Sequence, residues 1–202
     1  MAAGLLLVIS GPSGVGKGTI NKQLLQLVDD VTYSISATTR PPRKHETDGE
    51  NYFFLSKEEF IAKREHGDFL EWAEVYGNYY GTPRENVENL LATKKTVVLE
   101  IDTMGAMQIK KAMPKAVLVF ILPPSFAELE KRLKNRSTET DAVMARRLAA
   151  FKQEVALLKE YDYAVVNEDV LVAAEQIKMI INAEQCRVNY ILSNQDLWAE
   201  LF

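Results

Sequence analysis

A single cysteine, two histidines and the absence of any long apolar run bound what this 202-residue chain can be. Cys186 has no second cysteine to pair with, so an intramolecular disulfide scaffold is excluded. His45 and His66 are the whole histidine supply, which leaves a nucleophile-and-base constellation poorly provided for. No apolar stretch approaches the roughly 18 residues that span a bilayer. Repeats, low-complexity tracts and Gly/Ser linkers are also missing, so any subdomain must be an insertion packed onto one core. Basic residues are not in excess: 24 Lys and Arg face 28 Asp and Glu, a balance that points to neither nucleic acid nor a membrane surface as partner. The start, Met1-Ala2-Ala3-Gly4, lacks the charged region and long apolar core of a secretory signal, and the expected compartment is the reducing cytoplasm. What remains, 47% hydrophobic and 26% charged residues, is ordinary globular composition on a length that suits one domain with insertions.

Leu5 to Ile9 is a short, continuously apolar run between Gly4 and Ser10-Gly11-Pro12, the pattern of a strand buried on both faces. Lys17 to Val28 follows with Ile20, Leu24, Leu25 and Val28 at helical spacing. Val97 to Ile101 and Val117 to Leu122 repeat the buried-strand pattern, each trailed by a helical one, and Tyr163 to Val166 reads as a last strand before an amphipathic helix from about Val170 through Tyr190. This alternation predicts an α/β fold, a parallel sheet of four or five strands flanked by helices. Two stretches interrupt it. From about Tyr33 to Thr82, short strands at Asn51 to Leu55, Phe69 to Tyr76 and Tyr79 to Gly81 accompany a helix from Lys57 to about His66, bounded by a capping box of Ser56 with Glu59 and by Gly67. Between Ser125 and Glu160, Ser125 with Glu128 caps one helix, Thr140 or Asp141 starts another reaching about Lys159, and Asn135-Arg136-Ser137-Thr138 is a polar hinge. The expected organisation is a core of residues 1–32, 83–124 and 161–202, with a small mixed α+β insertion at 33–82 and a helical insertion at 125–160.

Gly11-Pro12-Ser13-Gly14-Val15-Gly16-Lys17-Gly18-Thr19 places four of the chain's ten glycines in eight residues, between a buried strand and a helix. Glycines let backbone N–H groups turn inward, the helix N-terminus adds partial positive charge, and a lysine at this place reaches terminal phosphates. The loop is therefore expected to bind ATP. The pattern asks for Ser or Thr directly after the lysine, but that place is Gly18, with Thr19 one further on. A direct hydroxyl ligand to Mg²⁺ is thus missing, and water is expected to fill more of the metal's octahedron.

Ser34-Ile35-Ser36-Ala37-Thr38-Thr39-Arg40-Pro41-Pro42-Arg43, the run from Glu71 to Thr82 and Leu99-Glu100-Ile101-Asp102 together resemble guanylate kinase. With the phosphate loop, the Pro-Pro-Ser run at 123–125, Arg132-Leu133 through Thr140, and Val166-Asn167, the resemblance extends from about Leu5 to Asn167. It implies a P-loop NTPase core carrying a nucleotide-binding insertion at 33–82 and a lid at 125–160, an enzyme that transfers the γ-phosphoryl group of MgATP to GMP or dGMP. It also implies site residues. Arg40 and Arg43 are expected on the GMP phosphate, where arginine's planar fork matches the anion, with Tyr52 and Tyr80 adding phenolic donors. Glu71 and Asp102 are expected on the donor edge of guanine, with Ser36 and Thr82 near O6; adenine would leave those carboxylates without their donors. Glu100, two residues before Asp102 and on the same side of the strand, resembles the family's acidic residue near the metal, and with Thr19 is expected at most in the metal's outer shell. Arg132, Arg136 and Arg147 are expected to close on the ATP phosphates, and Asn167 to lie near the ATP base or ribose.

Apart from the resemblance, each tyrosine reads as a half-buried strand aromatic, Glu71 as a solvated strand residue and the lid arginines as an exposed basic face. Asp102 stands out on its own, because it ends an apolar strand where α/β sheets gather their ligands. Phosphoryl transfer to a phosphate needs no nucleophile-and-base pair, since the acceptor oxygen is already anionic. The chain departs from the family pattern at His45 and Ser137, where Gly is usual, and at Thr103-Met104. Of two rival readings, a kinase for another nucleoside monophosphate keeps the phosphate loop, whereas a non-catalytic guanylate-kinase-like phosphopeptide-binding module is of a kind that has lost phosphate-loop residues, and Lys17, Gly11 and Gly16 are present here. The state of assembly, monomer or homo-oligomer, stays open, with the tail residues Leu197, Trp198, Leu201 and Phe202 able to pack on the core or on a second subunit.

Overall fold

The structure, a computed structural model, describes residues 4–75, 77–93, 95–136 and 150–193, without the side chains of residues 133–136. Five strands, β1 (Leu6–Ser10), β2 (Val31–Tyr33), β7 (Thr96–Glu100), β8 (Val117–Leu122) and β9 (Tyr163–Val166), form one sheet in the order β2-β7-β1-β8-β9, with every neighbouring pair parallel. Their apolar runs are continuous because both faces are covered, and the alternation of side chains assigns each residue to a face. Leu7, Ile9, Val98, Val117, Val119 and Ile121 pack with α1 (Lys17–Leu27) and with α6 (Val170–Gln185), through Ile20, Leu24, Ala173, Ile177 and Ile181. Leu6, Val8, Val97, Leu99 and Leu118 pack the other way, with α3 (Arg84–Ala92) and α4 (Thr103–Ala112), through Val87, Leu91, Ala106 and Ile109. Strand β1 is central, with the chain winding from it to β2 on one side and arriving at β8 on the other. Ligands of such sheets settle at the carboxyl ends of the strands where the winding reverses, here at the ends of β1 and β7.

A second sheet, β4-β3-β6-β5, lies between β2 and α3 in the sequence. It joins β3 (Ala37–Thr38), β4 (Phe53–Phe54), β5 (Phe69–Val75) and β6 (Asn78–Pro83), with β5 and β6 an antiparallel hairpin turning at Gly77 (φ 78°). Helix α2 (Lys57–His66) covers it through Phe60, which stacks on Phe69 at 4.4 Å and on Tyr79 at 5.3 Å between ring centroids. The expected capping box is present: Glu59 N–H donates to Ser56 Oγ, Ser56 N–H donates to Glu59, and Gly67 ends the helix with φ 84°.

Several expectations shift. Strand β4 is two residues rather than five, and β2, β3 and α3 form where no strand or helix was predicted. The short strands lack an alternating pattern of their own and owe their pairing to neighbours distant in sequence. The long C-terminal helix stops at Gln185, turns through Cys186 and Arg187, and resumes as α7 (Val188–Ser193); at the break, buried Glu184 accepts from Tyr163 Oη at 2.6 Å and from Arg187 at 3.2 Å. Helix α5 (Phe126–Arg136) starts at the predicted Ser125 cap and runs through Asn135 and Arg136, so no hinge interrupts it there. Helical residues 150–156 and a 3-10 turn at Leu158–Glu160 lead into β9. The proposed start of the second insertion helix at Thr140 or Asp141, Ser137, Thr138 and the tail from Leu197 to Phe202 lie outside the described residues.

Candidate active site

The glycine-rich loop joins β1 to α1 at the carboxyl end of the sheet. Gly16 is the helix N-cap at φ 93°, and a Cβ there would come within 2.5 Å of Asn167 Nδ2. Gly11, at φ 143°, lies so close to β8 that a Cβ would sit 2.5 Å from Ile121 O. Neither position admits another residue without moving the loop. The loop lines a cavity of about 570 Å³ with Lys22, Glu100, Asp102, Arg132 and Glu154. Of the nine loop residues only Val15 stays out of that lining; its apolar side chain is fully buried in the core, and its carbonyl accepts from Asn167 Nδ2 at 2.7 Å. Lys17 Nζ donates to the loop's own carbonyls, Gly11 O and Pro12 O.

Asn167, expected near the nucleotide's base or ribose, lies against the phosphate loop. It is 2% exposed beneath the loop, its amide holding Val15 and its backbone oxygen accepting from Arg132 Nη2 at 3.2 Å. Arg132 also donates to Glu128 one turn back at 3.0 Å, which aims its guanidinium at the cavity. Arg136 ends the same helix, four residues on, so the two positions share a face, but its side chain lies outside the described residues, as does all of Arg147.

A second, smaller cavity of about 250 Å³ opens beside the first, lined by Ser36, Tyr52, Glu71, Ala73, Val75, Tyr80, Glu100, Ile101 and Asp102. It gathers residues from β5, β6, the end of β7 and the segments before β3 and β4. Glu71 is 6% exposed, and its Oε1 accepts from Thr82 Oγ1 at 2.6 Å. Burial, with the nearby Asp102 charge adding to it, pushes the Glu71 carboxyl up to about 7 against the pull of the Thr82 bond. Asp102 Oδ1 accepts from Gly105 N–H at 2.7 Å, capping α4. Thr82 thus sits one layer behind the cavity wall rather than on it: a hydroxyl 1% exposed takes the strongest acceptor in reach, here a carboxylate.

At the mouth of this cavity, Arg40 lies over the Tyr52 ring at 5.5 Å and the Phe54 ring at 5.9 Å, and Tyr52 meets Tyr80 edge to face at 6.2 Å. Arg43, on the exposed loop beyond, contributes its backbone N–H. The structure also brings in residues the sequence reading passed over. Glu46 ties the two arginines together, accepting from Arg40 Nη2 at 2.9 Å and from Arg43 N at 2.7 Å; those donors hold its carboxyl below the usual range. Asn21, 4% exposed on α1, donates to Glu100 Oε2 at 2.8 Å, and Glu154 reaches the phosphate cavity from the far insertion. The signals were Arg40-x-x-Arg43-x-x-Glu46, and an asparagine on the apolar face of a helix between Ile20 and Leu24.

The guanylate kinase family model matches residues 4–184. The chain belongs to the guanylate kinase family. It is 50% identical to the guanylate kinase of Caldanaerobacter subterraneus subsp. tengcongensis over 98% of this chain and 95% of that one, and 52% identical to that of Clostridium perfringens strain 13 over 95% and 88%. The crystal structure of guanylate kinase from Anaplasma phagocytophilum superposes with a TM-score of 0.74 at 36% identity, covering 93% of this chain and 89% of that one. A shikimate kinase structure from Bacteroides thetaiotaomicron, 14% identical with a TM-score of 0.50, shares the fold alone. The family is one of phosphotransferases, and the two adjoining cavities are where its chemistry has to be placed.

Proposed function

We propose that this member of the guanylate kinase family holds MgATP in the phosphate-loop cavity and GMP in the smaller one, and transfers the γ-phosphoryl group between them to give ADP and GDP. One observation carries the reading: the two cavities share Glu100 and Asp102 as a common wall. A nucleotide phosphate in each therefore meets the other over the end of β7.

The acceptor oxygen of GMP is anionic and needs no base, so the protein's work is positioning and neutralising charge. Lys17 leaves the carbonyls of Gly11 and Pro12 for the β- and γ-phosphates, and the loop N–H groups hold the same oxygens. Arg40 and Arg43, with the phenols of Tyr52 and Tyr80, take the GMP phosphate. Glu71 and Asp102 accept from the N1–H and amino groups of guanine, with Ser36 on the same wall and Thr82 acting through Glu71. Arg132, joined by Arg136 and Arg147, gathers the charge spreading over the transferred group. Mg²⁺ fits the donor set. The hard oxygens of Glu100 and Asp102 line the cavity that the loop forms, where the phosphates would lie. Mg²⁺ prefers such a site, with one or two carboxylates, phosphate oxygens and retained water. Bound there, it would neutralise phosphate charge, and Glu100, held by Asn21, with Thr19 would help to hold it through water.

The free cysteine suits a reducing cytoplasm, and among the described residues no helix is long and apolar enough to cross a membrane. The test is ADP formation from MgATP with GMP, AMP, UMP or CMP as acceptor. GMP-dependent turnover supports the assignment. Turnover with another acceptor alone removes the guanine pocket, and none with any acceptor removes the kinase.

A further inference from the structure

Gly105 stands in the first turn of α4 with no conformational reason to be glycine, since it lies inside a helix, where glycine weakens the structure relative to alanine. Its surroundings supply the reason. A Cβ at this position would lie 2.8 Å from Glu71 Oε2, 3.3 Å from Glu71 Cδ and 3.4 Å from Asp102 Oδ1. One hydrogen on one backbone atom therefore faces two of the smaller cavity's three carboxylates, Glu71 and Asp102. The Gly105 N–H is itself the donor that fixes Asp102, at 2.7 Å.

The Glu71 carboxylate has little freedom to yield. Its other oxygen is bound to Thr82 at 2.6 Å, and both side chains are buried. The strand that carries it is also anchored to the helix. One turn beyond Gly105, the Gln108 side chain clamps the backbone of Trp72 on both sides, accepting from Trp72 N at 3.2 Å and donating to Trp72 O at 3.0 Å. Strand β5 thus cannot slide away from α4 to make room, and the missing side chain at residue 105 absorbs the close approach.

We propose that Gly105 is a specificity-determining positioning residue: by lacking a side chain it lets Glu71 and Asp102 stand together on one edge of the base, and so sets the preference for guanine. The proposal rests on the reading of this cavity as the guanine pocket. A methyl group at position 105 turns the Glu71 carboxylate about its Thr82 bond or breaks that bond, and a hydrogen bond off by that much in distance or angle is largely lost. The sub-contact approach, 2.8 Å, is to Glu71, which does not line the phosphate cavity, while the 3.4 Å to Asp102, which does, is an ordinary contact, so the effect is expected on the base cavity and not on ATP.

The experiment is steady-state kinetics of wild type, Gly105→Ala, Glu71→Ala and the double variant, with GMP, AMP and inosine monophosphate, which lacks the 2-amino donor, each with a melting curve. Wild type is expected to prefer GMP to both other acceptors. Gly105→Ala is expected to raise KM for GMP by about tenfold or more and to shrink the preference over inosine monophosphate by a similar factor, with KM for ATP unchanged. In the Glu71→Ala background, where the obstructed carboxylate is gone, the same substitution should change no kinetic constant and raise Tm. Retained GMP affinity and selectivity in Gly105→Ala would overturn the proposal, as would an equal loss for ATP or an equal further loss in the Glu71→Ala background. Should Gly105→Ala fail to fold, a folded double variant supports the clash with Glu71 and an unfolded one overturns it. A wild type without preference for GMP removes the guanine-pocket reading itself, an outcome distinct from a selective wild type and an equally selective Gly105→Ala.

Discussion

The two cavities on either side of Glu100 and Asp102 are built from different materials. The phosphate cavity is built mainly by one contiguous loop, residues 11–19, with Lys22, Glu100, Asp102, Arg132 and Glu154 closing it, and the loop's own lysine, Lys17, donates to the loop carbonyls of Gly11 and Pro12. The base cavity is assembled from five segments between Ser36 and Asp102, and three carboxylates, Glu71, Glu100 and Asp102, line it. One is ready to exchange a modest set of bonds for stronger ones. The other bears an uncompensated cost, visible in the raised Glu71 carboxyl, that a ligand with two N–H donors relieves. A site made by one loop is expected to bind a general group, phosphate, whereas a site made of buried side chains from several segments is expected to select one base.

The largest effect that separates the two is expected from Lys17→Met. Removing the cation should cut kcat by on the order of 10³ or more with GMP affinity unchanged; binding of GMP measured apart from turnover checks this. Glu71→Gln is expected to do the reverse, raising KM for GMP by about 10²-fold while ATP binding persists. It should also stabilise the unliganded protein, in a pH-dependent way. The folded carboxyl titrates near 7 and the unfolded one near 4.5, so the folded state keeps its proton longer and loses stability as pH climbs between those values. Glutamine removes that loss, so melting curves should show no gain below about pH 4.5 and a gain on the order of 3 kcal/mol above about pH 7.

Smaller effects sharpen the boundary. Glu46→Ala releases Arg40 and the Arg43 backbone from their shared carboxylate, and is expected to raise KM for GMP about 3- to 10-fold with KM for ATP unmoved. Ser56→Ala removes half of the α2 capping box, far from both cavities, and should cost about 1 kcal/mol. That is roughly 2–4 °C in Tm for a chain of this length, with neither KM changed.

The same contrast decides what could be read from the sequence. Lys17 and its glycines are contiguous, so loop, strand and helix were legible together, and the buried strand at Val117–Leu122 and the α2 cap came out residue for residue. The base cavity was legible only through resemblance to a family, because nothing local distinguishes Glu71 from a solvated strand carboxylate. Its burial follows from the pairing of β5 with β6, which brings Thr82 opposite, and from α4 approaching closely enough to exclude a side chain at Gly105. Glu46 and Asn21 were missed for a related reason. Each acts on another functional side chain rather than on a ligand, and neither partner is marked by sequence alone. Strands β2 and β3 and helix α3 escaped because two- and three-residue strands carry no period, and α3 follows Pro83 without a side-chain cap.

Burial raises the Glu71 carboxyl to about 7, so guanine's donors are expected to expel a proton from it on binding. Calorimetric titration of GMP at pH 7 in two buffers of different ionisation enthalpy, on wild type and Glu71→Gln, measures it directly. With the carboxyl titrating at about 7 when empty and well below when its donors arrive, wild type is expected to release about half a proton more than Glu71→Gln on binding. That difference should vanish by pH 9. Equal proton release by the two proteins at pH 7 would contradict the account, since guanine's donors would then not be meeting a carboxylate at Glu71.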